Sequence, residues 1–133
     1  MGRKTSYSQT FRRNDQISFM INFEDFTKLE LRVGTVLQAE EVKGSEKLIK
    51  QIVDFGSLGK KQILSGIKKW YKPSQLIGKQ FIYVTNLEPR MIMGMESQGM
   101  LLCAAVDPSE SLRQGKLTLL KPLSKISAGA KIE

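Results

Sequence analysis

The sequence predicts an all-β domain: a five-stranded barrel with a short helical turn between its third and fourth strands and extra segments at both ends. Three observations carry this reading. Apolar residues recur in short alternating runs, not in long runs of helical period. Turn-forming residues separate those runs, as in Gly56-Ser57-Leu58-Gly59 and Asp107-Pro108-Ser109. Pro73 and Gly78 bracket one or two helical turns just before the apolar run Phe81-Ile82-Tyr83-Val84.

Residues 1–16 have no apolar core to follow their positive charges, so they read as a flexible basic tail and not a secretory signal, followed by a single domain over 17–133. Asn22 stands as an N-cap ahead of Glu24 and Asp25, with Phe23, Phe26 and Leu29 spaced three apart. A short helix over 22–30 should therefore cross one end of the sheet. The run from Leu31 to Ala39 is the clearest strand, with Leu31, Val33 and Leu37 on one face and Arg32 and Gln38 on the other. Gly34 within it is either a bulge or a point of close backbone approach, and the bulge is the preferred reading.

Leu48 to Phe55 forms a second strand with imperfect alternation, and Lys60 to Ile67 is its hairpin partner. Phe81 to Val84, Met100 to Val106 and Leu117 to Leu120 supply the remaining strands. About five barrel strands with a helix between the third and fourth is the order of an OB-fold, a small Greek-key barrel.

Composition narrows the function. At 133 residues, 41% apolar and 26% charged, the chain suits one soluble globular domain, and no apolar run approaches a membrane span. With no histidine and a single cysteine, Cys103, it has no intramolecular disulfide, imidazole or thiolate zinc site, or histidine-based catalytic triad. No cofactor, metal or enzymatic activity is expected. Cys103 lies in the apolar run Met100 to Val106 and reads as a structural thiol, which fits a reducing, cytoplasmic compartment.

The net charge of +8 is unevenly placed. Residues 14–42 hold six acids against two bases, whereas residues 43–90 hold ten bases against three acids, a local excess of seven. Such an excess suits a polyanion, because each neutralised phosphate releases counterions; a lysine-decorated soluble face, an anionic membrane or an acidic protein partner would share the signal. Lys68, Lys69 and Lys72 surround Trp70 and Tyr71, and aromatics among bases are what a stacking and phosphate-tracking surface uses. Trp70 serves a ligand or packing role equally well on this reading, and Tyr71 is better placed to pack beneath the helical turn.

The most distinctive stretch runs from Asn86 to Leu102, and it includes Asn86-Leu87-Glu88-Pro89-Arg90 and Ser97-Gln98-Gly99-Met100. Further blocks precede it: Phe23-Glu24-Asp25-Phe26, Glu30 to Gly34, Lys47-Leu48 with Val53 to Gly56, and Ser65-Gly66-Ile67 leading to Tyr71-Lys72-Pro73. Together they resemble the tRNA-binding domain family, whose members occur as stand-alone proteins and as appendices of methionyl- and tyrosyl-tRNA synthetases. The resemblance covers about residues 20–133. It implies an OB barrel that recognises tRNA by shape and backbone, forms a homodimer and acts in trans or as an accessory to an aminoacyl-tRNA synthetase, the methionyl enzyme first.

Two positions depart from the family pattern. The His-Pro pair usual before the Lys47-Leu48 block is replaced by Val42-Lys43-Gly44-Ser45, and Glu88 stands where a lysine is common. The chemistry of the signature is that of holding. Asn86, Ser97 and Gln98 offer uncharged donors and acceptors, Arg90 and the lysines Lys47, Lys60, Lys61, Lys68, Lys69 and Lys72 offer charge-assisted bonds to phosphate, and the resemblance places Met100 at the ligand. Met91, Met93 and Met95 suit core or dimer packing, or an adaptable platform for an unstacked base. Gly94 and Gly99 satisfy turn geometry or let backbone approach a ligand. Arg32 is expected in a structural ion pair with Glu30 or Asp25. An alternative function within the same fold is a CsaA-like secretion chaperone that binds unfolded polypeptide.

Overall fold

A computed structural model describes residues 20–106 and 116–133. The basic tail and the Asp107-Pro108-Ser109 turn lie outside the described residues. The described residues form one α-helix and nine strands: α1 (Phe23–Thr27), β1 (Leu31–Glu41), β2 (Ile49–Asp54), β3 (Lys60–Ser65), β4 (Gln80–Val84), β5 (Arg90–Ile92), β6 (Met95–Ser97), β7 (Met100–Leu101), β8 (Cys103–Ala105) and β9 (Leu117–Leu119). Five strands make one antiparallel sheet in the order β3-β2-β1-β4-β7, curled into a nearly closed barrel. The helical turn expected between β3 and β4 is a single 3₁₀ turn over Pro73–Gln75, and Gly78 ends the segment at φ 82°.

β1 is long because it serves two neighbours. Its first half pairs with β4, from Leu31 opposite Val84 to Thr35 opposite Gln80, and its second half pairs with β2. The register shifts between Val36 and Gln38, so the bulge lies at Leu37 and not at Gly34. That bulge turns Val36 fully inward and leaves Leu37 exposed, which reverses the face expected for Leu37. Gly34 keeps a regular register opposite Phe81, and a Cβ there would run into Val53 and Phe55. Close approach is its role: it lets the two layers of the barrel touch.

The imperfect alternation of β2 has a physical explanation. Ile49, Gln51 and Val53 all point inward, so a fully buried glutamine sits among apolar residues. Its polar atoms are satisfied: Gln51 Nε2 donates to Ser65 Oγ at 2.8 Å, and the Tyr83 hydroxyl donates to Gln51 Oε1 at 2.8 Å. Burial pushes the Tyr83 phenol well above its ordinary range, and its ring meets Phe55 edge-on at 5.3 Å.

The free flank of β1 beside α1 is covered by the C-terminal segment. Val33 N donates to Ala130 O at 2.9 Å, Gly129 N to Val33 O at 2.7 Å and Ile132 N to Leu31 O at 2.9 Å. Arg32 fixes the crossing, binding Glu30 Oε1 through Nη2 at 2.8 Å and Gly129 O through Nη1 at 3.1 Å. This is the structural ion pair expected for Arg32, and it holds the Glu30 carboxyl below the usual carboxylate range.

Helix α1 is shorter than the 22–30 reading and buries none of its residues. Asn22 caps it as expected, accepting from Asp25 N at 2.8 Å, but Phe23, Phe26 and Leu29 share a hollow with Ile132 instead of crossing the sheet. The expected strand from Met100 to Val106 is broken at Leu102, whose N–H reaches Ile82 O while its C=O accepts from Leu120 N. The chain there leaves β4 and joins β9 as a separate ladder. No described helix is long and apolar enough to cross a membrane.

Candidate nucleic-acid interface

The middle of the signature stretch forms a hairpin that the sequence pattern does not announce. β5 and β6 pair from Arg90 opposite Ser97 to Ile92 opposite Met95, joined by Met93 and Gly94 at φ 51° and 79°. Positive φ at both central residues is the type I′ geometry that suits the twist of a two-residue hairpin, and Gly94 thus serves the turn. Short strands and a Met-Gly turn in place of Asn-Gly kept the hairpin from view.

The hairpin is fastened to β3 and closes the barrel. Ser97, only 5% exposed, accepts from Leu64 N at 3.0 Å and donates to Gly99 O at 3.2 Å. Gln98 Oε1 accepts from Gln62 N at 2.8 Å while Gln98 N donates to Gln62 O at 2.8 Å, and Gln62 Nε2 donates to Glu96 O at 2.9 Å. Ser97 and Gln98 therefore direct these polar atoms at the edge of β3. Gly99 allows the approach, since a Cβ there would sit 2.9 Å from both Ile63 Cδ1 and Val84 O.

Asn86 is also tied into the fold. Its Oδ1 accepts from Glu30 N at 2.9 Å and its Nδ2 donates to Lys28 O at 2.7 Å, which pins the entry to β1. Arg90 is exposed at the start of β5, and Met100, 46% exposed, lies on β7 opposite Val84.

The structure divides the candidate lysines into two groups. Lys47, Gly66, Lys69 and Trp70 line one hollow of about 130 Å³ at the mouth formed by the β1–β2 loop and the chain after β3. Lys68 N donates to Lys47 O at 3.0 Å, which joins the two segments, and Lys68 Nζ is engaged by Ser45 O at 2.9 Å and Glu41 at 3.6 Å. Lys72 is exposed just before the 3₁₀ turn. Lys60 and Lys61 stand at the other end of β3, where Lys60 faces Asp54, about 17 Å along the strand from Ser65. Trp70 is half-buried, and Tyr71 packs against the core while its hydroxyl donates to Leu117 O at 3.3 Å.

Four lysines outside the candidate contacts of the sequence line other concave surface: Lys116 beside Trp70 and Tyr71, and Lys79, Lys121 and Lys125 beyond them. Three of the four follow the densest basic segment, and only the fold returns them to it. Among the described residues no three Asp, Glu or Cys side chains gather as a metal-holding group. Cys103 is half-buried, and burial pushes its thiol up, away from the reactive thiolate.

A five-stranded, nearly closed antiparallel barrel with a helical turn between its third and fourth strands is an OB-fold, here with a basic, tryptophan-bearing mouth. Residues 31–131 match the family described as putative tRNA binding domain, and the chain belongs to that family. It is 50% identical over 113 residues to a methionine–tRNA ligase of Methanothrix thermoacetophila, covering 85% of this chain and 16% of that protein. It is 44% identical over 130 residues to the methionine–tRNA ligase of Caldanaerobacter subterraneus, covering 98% of this chain and 19% of that protein. The chain thus spans less than a fifth of these relatives' length.

Among solved structures, it resembles a MetRS related protein from Pyrococcus horikoshii, with TM-score 0.77, 38% identity and coverage of 86% of this chain and 98% of that one. It also resembles the chaperone CsaA from Bacillus anthracis, with TM-score 0.73, 39% identity and coverage of 86% and 99%.

Proposed function

We propose that this domain holds tRNA by its folded shape and its phosphate backbone, in trans or as an accessory of an aminoacyl-tRNA synthetase, methionyl-tRNA synthetase first. The observation that carries the reading is the mouth where Lys47 and Lys69 flank Trp70, on a barrel whose sequence relatives are parts of methionine–tRNA ligases. Cations there neutralise phosphates while an aromatic face meets an unstacked base. In this reading Lys47, Lys69, Trp70, Lys72, Arg90 and Met100 are the contacts, Lys60, Lys61 and Lys68 add to the field, and Asn86, Ser97 and Gln98 hold the surface in shape.

Binding to folded tRNA and to unstructured RNA of equal length, each titrated with salt, tests the proposal. Tighter binding to tRNA with a steep salt dependence is expected. Equal affinity for both would remove shape recognition.

A homodimer belongs to the same reading, because Met91 and Met93 are 68% and 56% exposed on the hairpin and offer adaptable apolar surface. Sedimentation showing a monomer mass independent of concentration would refute it. A second reading, capture of unfolded polypeptide, draws on the likeness to the CsaA structure. Tight binding to an unfolded protein with none to tRNA would favour it.

A further inference from the structure

The concave surface around Trp70 does not end at the mouth. The hollow of Lys47, Lys69 and Trp70 shares Trp70 with a larger one of about 460 Å³, walled by Trp70, Tyr71, the β8–β9 ladder at Ala104 and Leu117, and Lys116. That one shares Tyr71 and Thr118 with a third, and the third shares Lys79 and Lys121 with a fourth, which reaches Lys125. Taken as one groove through these shared residues, the four are lined by six lysines and by no Asp or Glu among the described residues. None of the six is ion-paired with a described carboxylate.

We propose that this groove is a track for a single-stranded stretch of RNA, with phosphates on the lysines and one unstacked base in the hollow walled by Trp70 and Tyr71. The proposal rests on the reading of the domain as an RNA binder and extends its footprint past the mouth to the far side of the 3₁₀ turn. Three features argue for this occupant. Cations spaced along a groove with no carboxylate among its described lining residues suit a polyanionic chain better than a single anion. The aromatic pair lies midway along the groove, where a base would follow its phosphate. The widest hollow is also the most apolar, walled by Ala104, Ala105, Val106 and Leu117, so it suits a flat base more than a phosphate.

The test uses the full chain, an eight-nucleotide oligoadenylate and folded tRNA. The Lys79→Gln, Lys121→Gln, Lys125→Gln triple variant is compared with the parent by salt titration, with a thermal melt to confirm folding. Single strands contribute a slope of about 0.7 per neutralised phosphate, so the oligoadenylate slope should fall by about 2, and between 50 and 200 mM salt the variant should lose about sixteenfold less affinity than the parent.

Trp70 is the single tryptophan, so its emission reports on the hollow directly. Oligoadenylate should quench it, and an abasic oligomer of equal length should quench it far less. An unchanged slope in the triple variant, or equal quenching by the abasic oligomer, overturns the track. If the parent binds tRNA while the triple variant keeps its slope, the track alone fails. Binding of oligoadenylate without tRNA sustains the track and sinks shape recognition, and binding of neither removes both.

Discussion

The Ser97 hydroxyl lies 3.0 Å from the Leu64 amide and accepts its hydrogen bond, so a side chain stands where a neighbouring strand's carbonyl would otherwise be. Together with Gln98, which takes the Gln62 amide, it caps the edge of β3 and closes the barrel. An open sheet edge in so small a barrel would leave amides buried or ready to pair with another chain.

Ser97→Ala should leave the buried Leu64 N–H without an acceptor and destabilise the fold by about 1–3 kcal/mol. Thermal unfolding should register a midpoint lowered by several degrees. Below that midpoint the salt slope of tRNA binding should be unchanged, since no cation is lost. A reduced slope at full folding would instead put Ser97 at the phosphates.

Gly34→Ala should destabilise by about 1–3 kcal/mol or more, because the new methyl enters space held by Val53 and Phe55 in the core. Gly66→Ala is the matched control, with nothing within 4 Å of its added Cβ, and should stay within about 0.5 kcal/mol of the parent. Urea unfolding of the two variants checks the contrast. Equal midpoints would mean that the barrel yields at Gly34 without cost.

Tyr83 should make the fold sensitive to alkali. Its folded pKa lies above the unfolded value of about 10, so the folded state keeps a proton that the unfolded state releases. Stability from this residue is fully present below about pH 10 and declines as pH rises further. Urea midpoints measured between pH 8 and 11 should fall at the upper end. Tyr83→Phe should flatten that decline while lowering stability near neutrality by about 1–3 kcal/mol, because Gln51 Oε1 loses its donor.

The two lysine groups should separate in binding. Replacing Lys47 and Lys69 with glutamine should lower the salt slope for tRNA by about 1.5, and replacing Lys60 and Lys61 should lower it by less than half of that. The reason is placement: the first pair shares the mouth with Trp70, and the second stands at the opposite end of β3. Fluorescence anisotropy of labelled tRNA across a salt series measures both. A larger effect from Lys60 and Lys61 would move the interface to that end.

Much of the architecture was legible because it is written locally. The alternation of β1, the Gly-rich turn before β3, the Pro73 and Gly78 brackets and the Asn22 cap each act over a few residues, and each appears in the fold. The β5–β6 hairpin escaped because strands of three residues carry too little period to see. A glycine within a strand suggests a bulge at Gly34, whereas the register puts the bulge at Leu37 and Gly34 lies against Val53 and Phe55.

For the site, the residue types were readable and their tasks were not. Short alternating runs and the ordered blocks that end in the Asn86–Leu102 signature were enough to point to a small β-barrel of the tRNA-binding family, because local alternation and motif survive in one dimension. Only the tertiary structure decided which polar groups face outward. Ser97, Gln98 and Asn86 look like ligand-holding groups in the sequence, yet their partners are the backbones of Leu64, Gln62, Glu30 and Lys28, two of them more than fifty residues from Asn86. Lys116, Lys121 and Lys125 lie beyond the basic segment of the sequence, yet Lys116 shares a hollow with Trp70 and Tyr71, Lys79 and Lys121 share one with Tyr71, and Lys125 lines the hollow next to that. Hydrogen-bond satisfaction and adjacency are properties of a closed surface, and a linear pattern with period two specifies which side of a strand a residue occupies but not what it meets there.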